Sequence, residues 1–202
     1  LLLPRSRGTQ LVLLPIAGPR HIDCFGRAIT AGYIGDAALG LKLLRAPWLE
    51  VEWGLSADEG AFLVERYRCP SARHALALPL RECARAAIDV SDGLVGDTMR
   101  LCKASGVSAT IDAPRVPLSP AAGKAVARKP ELLAELITAG DDYEIVAAME
   151  ASHAGGFEKE AEQHGVTVTA IGEVHAGSGE VQVLDKEGRA LKLDRNGYEH
   201  FE

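Results

Sequence analysis

The apolar and polar positions along the chain predict alternating helices and strands. Apolar residues at three- and four-residue spacing predict helices behind Asp36 and over residues 56–68, 76–86, 93–105, 120–128, 131–138 and 157–164. Short segments rich in Val, Ile and Ala predict strands at 87–90, 107–111, 143–148 and 166–171. Residues 181–184 and 190–193 flank a turn and predict a hairpin.

This order of elements predicts the α+β class, an intermixed α/β arrangement with helices packed on a mixed β-sheet. Aromatic residues make up 5% of the 202-residue chain, so the core must be built mainly from Ala, Val, Leu and Ile. Pro and Trp interrupt the helical pattern over residues 47–54. A boundary there divides the chain into residues 1–50, with a predicted apolar edge strand at 11–16, and residues 51–202.

Charge and cysteine usage limit the possible partners and location. The formal charge of −6 argues against nucleic acid, which proteins bind with clustered Lys and Arg. Membrane attachment is not expected, because no apolar run reaches the roughly 18–20 residues of a membrane span. The four cysteines are widely spaced and form no CxxC pair, which predicts reduced thiols in a cytoplasmic protein.

The segment Asp89-Val90-Ser91-Asp92-Gly93 is the first candidate site. Two carboxylates at a turn from strand to helix can bind Mg²⁺, and the hydroxyl of Ser91 can contact a phosphate. The start of the following helix favours an anion. The alternative is that Ser91 or Asp92 caps the helix, with Asp97 exposed one turn further on. The residues alone leave both interpretations open.

Three further groups of residues are open to two interpretations each. The segment 140–144, Gly-Asp-Asp-Tyr-Glu, predicts a tight turn before a strand, either solvated or with a carboxylate that faces a cationic substrate or a metal ion. Tyr198 lies in a terminal segment that either docks on the body or stacks on a flat ligand. Three arginines form either a solvated basic face or a phosphate contact: Arg66, Arg68 and Arg73.

Taken in order, these segments resemble the C-terminal half of the thiamine-monophosphate kinase family. The resemblance covers roughly residues 24–202 and is carried by residues 35–41, 66–73, 87–94, 104–107, 111–112, 117–119, 140–144, 171–172 and 197–201. Each motif alone is moderately specific, whereas the ordered set is specific.

The resemblance implies an ATP- and Mg²⁺-dependent kinase that phosphorylates thiamine monophosphate to thiamine diphosphate. It also implies the two-domain fold of aminoimidazole ribonucleotide synthetase, usually as a homodimer. By position, Asp89 and Asp92 correspond to Mg²⁺ ligands and Ser91 to an ATP contact. Asp141 stands where the family usually has a Glu that faces the thiamine, and Tyr198 at the aromatic position that meets the substrate.

The sequence departs from the family in its first part. The paired-aspartate metal motif and the Gly-Gly-Asp nucleotide segment of the family's N-terminal domain are not found in the chain. Residues 1–50 are therefore interpreted as a truncated remnant of that domain and a linker, and 51–202 as the C-terminal domain. This predicts weak kinase activity or none. The alternatives are a non-catalytic ligand-binding domain and a relative that acts on another phosphate acceptor.

Overall fold

One six-stranded sheet organises the part of the chain that the computed structural model describes, residues 26–193. Its strands follow the spatial order β2-β4-β1-β5-β3-β6. They are β1 (Gly26–Ala31), β2 (Ala84–Val90), β3 (Val107–Asp112), β4 (Glu144–Glu150), β5 (Val168–Ala176) and β6 (Val181–Leu184). Neighbouring strands are antiparallel except β3 and β6, which are parallel. The predicted mixed sheet is thus confirmed.

Eight α-helices accompany the sheet within the described residues. They are α1 (Asp36–Arg45), α2 (Leu49–Trp53), α3 (Ala57–Arg68), α4 (Ala77–Cys83), α5 (Leu94–Ser105), α6 (Pro120–Arg128), α7 (Leu132–Leu136) and α8 (Ala151–Gln163). Helix α3 begins with the predicted capping box, in which Ser56 Oγ accepts from the Glu59 N–H at 3.3 Å and Glu59 Oε2 accepts from the Ser56 N–H at 2.9 Å. Helix α5 ends at Gly106, which has a left-handed φ of 66°.

Four elements differ between the prediction and the structure. No strand is predicted over residues 26–31, yet β1 lies inside the sheet and pairs with both β4 and β5. The helix predicted over 76–86 ends at Cys83, because Ala84–Val90 pairs with β4. Helix α8 begins at Ala151 and not at Phe157. Of the predicted hairpin, residues 181–184 form β6, whereas the second arm makes only an isolated bridge between Ala190 and Leu184. The first two differences arise from strand pairing, which the local pattern does not contain.

Apolar side chains on both faces of the sheet form two of the three core clusters. On β4, Val146 and Ala148 point to the face covered by α5. Ala147 and Met149 point to the opposite face, where they meet Phe157 of α8. Since successive side chains of a strand point to opposite faces, a strand covered on both sides is apolar almost throughout.

The third cluster lies among the helices α1, α2, α3, α6 and α7. Its fully buried side chains include Leu39, Trp53, Leu63 and Leu136. Helices α1 and α3 approach closely at Gly40, where an added Cβ would lie 2.1 Å from the Leu63 carbonyl oxygen. The two helices can therefore pack at this distance only because residue 40 has no side chain.

The sequence predicts a domain boundary at residue 50. Strand β1 and helix α1 precede it, and β1 is hydrogen-bonded to strands that follow it. The division stays a prediction. The predicted strand at 11–16 and Tyr198 lie outside the described residues. Among the helices of residues 26–193, none is long and apolar enough to cross a membrane.

Buried charged side chains join the helices to one end of the sheet. The Glu144 carboxylate, fully buried, accepts hydrogen bonds from Arg66 Nη2 at 2.6 Å and from Arg73 Nε and Nη2 at 2.6 and 2.5 Å. These two arginines therefore do not form a solvated basic face. The Asp142 carboxylate accepts from the N–H groups of Gly35 at 2.7 Å and Ala37 at 3.2 Å. Asp142 thus caps α1, which begins at Asp36.

Burial also changes the ionisation of two carboxyl groups in this junction. It raises the pKa of Asp142 to about 8. The two N–H groups that donate hydrogen bonds to Asp142 oppose this shift. Burial raises the pKa of Asp36 to about 6, although the 2.5 Å hydrogen bond from Ser119 Oγ and the charge of Arg66 lower it. The folded protein therefore favours the protonated form of both groups.

The raised pKa values predict a loss of stability with rising pH. A carboxyl group whose pKa is higher in the folded state contributes stability fully below about pH 4, and the contribution is lost as the pH rises through the folded value. The free energy of unfolding, measured in urea, should therefore fall between pH 5 and pH 8.5. In Asp142→Asn the free energy of unfolding should be lower at pH 5, because one hydrogen-bond acceptor is lost. It should also fall less steeply as the pH rises. Parallel curves for the two proteins would contradict the assignment.

Two glycines in helices provide a matched test of the packing of α1 on α3. Gly40→Ala should lower the free energy of unfolding by about 1–3 kcal/mol, because the new methyl group meets the Leu63 carbonyl. Gly123→Ala, in α6, adds a methyl group where no atom lies within 4 Å, and should raise it by about 0.5–1 kcal/mol. Urea unfolding measures both free energies. Equal changes in the two variants would show that α1 and α3 can move apart without loss of stability.

Candidate functional site

The candidate site lies at the end of the sheet where β1 and β2 finish and β4 and β5 begin. Val90 of β2 pairs with Glu144 of β4, and Ala31 of β1 pairs with Ile145 of β4 and Val168 of β5. The turn after β2 and the segment before β4 are therefore neighbours. The two acidic segments, residues 89–93 and 140–144, meet here.

Backbone contacts join the two acidic segments. The Asp141 N–H donates to the Ser91 carbonyl at 2.9 Å, and the Tyr143 N–H donates to the Val90 carbonyl at 2.8 Å. A Cβ at Gly140 would lie 2.3 Å from the Ser91 oxygen, and one at Gly93, where φ is 118°, would lie 2.7 Å from the Thr138 oxygen. Glycine at both positions is thus what allows the segments to touch.

The structure places Asp89 at the end of β2 and Asp92 in the turn that follows. Asp89 is half-buried, and its Oδ1 is a buried oxygen with no hydrogen-bond partner. Asp92 is 7% exposed and accepts a hydrogen bond from the Arg100 guanidinium. Helix α5 starts after Gly93, which is its N-cap residue, and has no side-chain cap. The capping role considered for Ser91 and Asp92 is therefore wrong.

Asp97 is a site residue that the sequence interpretation missed. It is buried, not exposed, and its Oδ2 accepts from the N–H groups of Ser91 at 3.0 Å and Asp92 at 2.9 Å. Burial raises the pKa of its carboxyl group, while the Asp92 N–H and Arg100 oppose the shift. The signal was present, because Asp97 lies three residues after Leu94 and four before Leu101, on the buried face of α5.

One N–H group in the first turn of α5 and the backbone of Ser91 are already engaged within the protein. The Val95 N–H donates to the Ile137 carbonyl at 3.1 Å. The Ser91 N–H is bound by Asp97 and its carbonyl by Asp141. An anion at this turn would therefore meet the Ser91 hydroxyl and not the Ser91 backbone.

The second acidic segment alternates between outward and inward side chains. Asp141 and Tyr143 are exposed, whereas Asp142 and Glu144 are buried. Asp141 and Tyr143 have φ values of 71° and 51°, and no other non-glycine residue of the described range has a positive φ. Burial raises the pKa of the Tyr143 phenol, and so do the negative charges of three nearby carboxylates, those of Asp141, Asp89 and Asp92. Three of the predicted site residues thus act on one phenol group.

A cavity of about 600 Å³ opens beside this segment, between α1 and α7. Gly140 and Asp141 line one side of it. Lys42 and Arg45 of α1 also line it, and Lys42 forms an ion pair of 2.7 Å with Glu135. The cavity lining therefore presents both acidic and basic side chains to a small ligand.

The residues present fit a magnesium ion that is bound by protein carboxylates on one side and by phosphate oxygens and water on the other. An unpartnered buried carboxylate oxygen at Asp89 is the type of donor that Mg²⁺ prefers. No group of three or more His, Cys, Asp or Glu side chains suited to a metal occurs in residues 26–193. Mg²⁺ is usually bound by one or two carboxylates together with phosphate oxygens and water. Asp89 and Asp92 match that smaller set.

Comparisons with known proteins agree with this architecture. Residues 46–184 match the family described as AIR synthase related protein, C-terminal domain. Thiamine-monophosphate kinase of Caulobacter vibrioides is 38% identical over 177 residues, which cover 86% of this chain and 47% of that protein. The chain spans about half the length of the curated relatives it matches.

Solved structures share the fold. The crystal structure of thiamine-monophosphate kinase from Stenotrophomonas maltophilia K279a has a TM-score of 0.67 at 30% identity, over 82% of this chain and 51% of that one. The complex of AaThiL with AMPPCP and TMP has a TM-score of 0.68 at 26% identity, over 87% and 52%. The match to the family covers well over half of the chain and includes five of its six described strands. The chain is similar to thiamine-monophosphate kinases and therefore belongs to the family of AIR synthase related proteins, of which it contains the C-terminal domain.

Proposed function

We propose that this chain carries the nucleotide-metal and substrate carboxylates of an ATP- and Mg²⁺-dependent thiamine-monophosphate kinase, which forms thiamine diphosphate. The observation that carries the proposal is the contact between the two acidic segments, in which Asp141 binds the backbone of Ser91 at 2.9 Å. A residue suited to a cationic substrate thereby lies beside residues suited to a metal and a phosphate. The names of the relatives support the same chemistry.

Asp89 and Asp92 would hold the magnesium ion. When bound, the ion would supply positive charge that offsets the negative charge of the phosphates, which two anionic reactants require. Phosphoryl transfer needs little more from a protein than positioning and charge neutralisation. Asp97 fixes the backbone of Ser91 and Asp92 from behind, so that the Ser91 hydroxyl is presented to ATP.

Asp141 would face the positively charged thiazolium ring of the substrate. Its carboxylate is exposed and lines the cavity beside α1. The left-handed φ of 71° explains why Asp suits a position where the family usually has Glu, because Asp adopts this conformation several-fold more readily than most residues. Tyr198 is proposed as a second substrate contact from the resemblance alone.

Ligand binding without turnover is the second candidate function. It is favoured by the small number of metal-binding carboxylates in the described residues. In this case the chain would bind magnesium-nucleotide or thiamine monophosphate, and another part of a protein would complete the reaction site. One set of assays on this chain separates the two functions.

The kinase hypothesis predicts turnover that depends on the carboxylates. The purified chain is incubated with ATP, Mg²⁺ and thiamine monophosphate, and thiamine diphosphate is measured. Asp92→Asn and Asp89→Asn should each lower turnover, or Mg²⁺-dependent AMPPCP binding, by about tenfold or more, because each removes a metal-binding charge. Asp58→Asn, an exposed carboxylate on α3, is the matched control and should change neither.

The possible outcomes separate the hypotheses. Turnover that both variants lose supports the kinase. Binding of AMPPCP or thiamine monophosphate without turnover supports the ligand-binding domain. If the chain binds neither ligand in calorimetry, both functions are wrong.

Asp141→Asn tests the proposed substrate contact separately. Asn is almost the same size as Asp and tolerates a positive φ, so the change removes the charge without straining the backbone. Binding of thiamine monophosphate should weaken by roughly tenfold, whereas Mg²⁺-dependent AMPPCP binding should stay within about twofold. Equal losses for both ligands would show that Asp141 belongs to the nucleotide site instead.

A further inference from the structure

Tyr143 has a backbone conformation that tyrosine rarely adopts. Its φ is 51°, in the left-handed region, where the Cβ atom lies too close to the following carbonyl oxygen. Asp141 shares this region at 71°, but Asp is enriched there and a bulky aromatic residue is a genuine outlier. Strained residues of this kind occur most often at functional sites.

The surroundings of Tyr143 explain how the strain is maintained. Its N–H donates to the Val90 carbonyl at 2.8 Å. The residues on either side, Asp142 and Glu144, are both buried and both hydrogen-bonded, the one to the start of α1 and the other to two arginines. Three consecutive residues are thus fixed, and the middle one must take the strained conformation.

The side chain of Tyr143 is not required by the interior of the protein. The residue is 43% exposed, and Tyr143 belongs to none of the three apolar core clusters of the described residues. A glycine would make the same backbone hydrogen bond without strain. The ring at this position therefore favours a contact made outside the chain.

The chemistry around the ring favours a cation. The face of an aromatic ring attracts positive charge, and Asp141, Asp89 and Asp92 place negative charge near the same phenol. Arg100 offsets the charge of Asp92, but Asp141 and Asp89 would still repel an anionic ligand unless a metal ion came with it. A flat organic cation meets both the ring face and the carboxylates favourably.

We infer that Tyr143 is a further substrate-binding residue, whose ring stacks on the cationic heteroaromatic ring of the substrate while Asp141 neutralises the charge of that ring. The inference rests on the proposed function, because the thiazolium ring of thiamine monophosphate is the cation concerned. It adds a residue outside the predicted ligand set, in which Asp141 and Tyr198 alone contact the substrate.

Three variants separate a binding role from a structural one. Tyr143→Phe keeps the ring, so binding of thiamine monophosphate in calorimetry should stay within about threefold of the unaltered chain. Tyr143→Leu and Tyr143→Gly remove the ring and should each weaken binding by roughly three- to thirtyfold. Tyr143→Gly should also unfold at a higher urea concentration than Tyr143→Leu, because glycine relieves the strain. If Tyr143 had a purely structural role, the more stable Tyr143→Gly would bind thiamine monophosphate more tightly than Tyr143→Leu.

A pair of small probes tests the charge directly. The cation 3,4-dimethyl-5-(2-hydroxyethyl)thiazolium and the neutral 4-methyl-5-(2-hydroxyethyl)thiazole differ by one methyl group and one charge. Titrations followed by NMR should show that the unaltered chain binds the cation more tightly. Tyr143→Leu should lose that preference. Equal binding of both probes by the unaltered chain would overturn the inference.

The outcomes also distinguish this inference from the proposed function. If the unaltered chain binds thiamine monophosphate and Tyr143→Leu binds it equally well, the inference is wrong and the proposed function stands. If the unaltered chain binds Mg²⁺-AMPPCP but not thiamine monophosphate, the inference and the proposed substrate are both wrong. Mg²⁺-AMPPCP binding by all three variants should stay within about twofold of the unaltered chain, and a loss there would assign Tyr143 to the nucleotide.

Discussion

The buried ion pairs of Glu144 are the interaction on which the rest of this structure depends. A fully buried carboxylate is tolerated only when it is paired and hydrogen-bonded, and three N–H groups of Arg66 and Arg73 meet this one. Arg66 belongs to α3 and Glu144 begins β4, so the pair ties the helices to the sheet. Gly32 lies so close that an added Cβ would be 2.0 Å from a Glu144 oxygen, which leaves no room for a side chain after β1.

The orientation of the site follows from this buried pair. Glu144 and Asp142 are held inward by their hydrogen bonds, and Asp141 and Tyr143, both with a left-handed φ, are exposed beside them. The turn after β2 has the same organisation, since the buried Asp97 holds the backbone of Ser91 and Asp92. In both segments a buried carboxylate binds backbone or arginine N–H groups, Asp97 in the first and Glu144 in the second. These two acids are structural, and the outer carboxylates of Asp89, Asp92 and Asp141 are the candidates for chemistry, with Asp92 paired to Arg100.

The sequence predicts the local part of this arrangement and not the long-range part. The capping box at Ser56 and the stop at Gly106 depend on neighbouring residues, so they could be predicted. Strand β1 has little β propensity of its own and becomes a strand because it pairs on both sides. Likewise, nothing near Arg66 or Arg73 indicates that Glu144 is their partner. Asp89, Ser91, Asp92 and Asp141 could be selected as candidates, but their contact depends on the order of the strands.

Stability and function are separable at the outer carboxylates. The two acidic segments are joined through backbone hydrogen bonds and through close approaches at Gly93 and Gly140, none of which uses an outer side chain. Like charges placed near one another disfavour ionisation and destabilise the fold, and a bound cation relieves that repulsion. Any ligand that binds only the folded state also stabilises it. A cation bound at the acidic end of the sheet would therefore add stability through the outer carboxylates alone, without changing the backbone contacts that hold the two segments together.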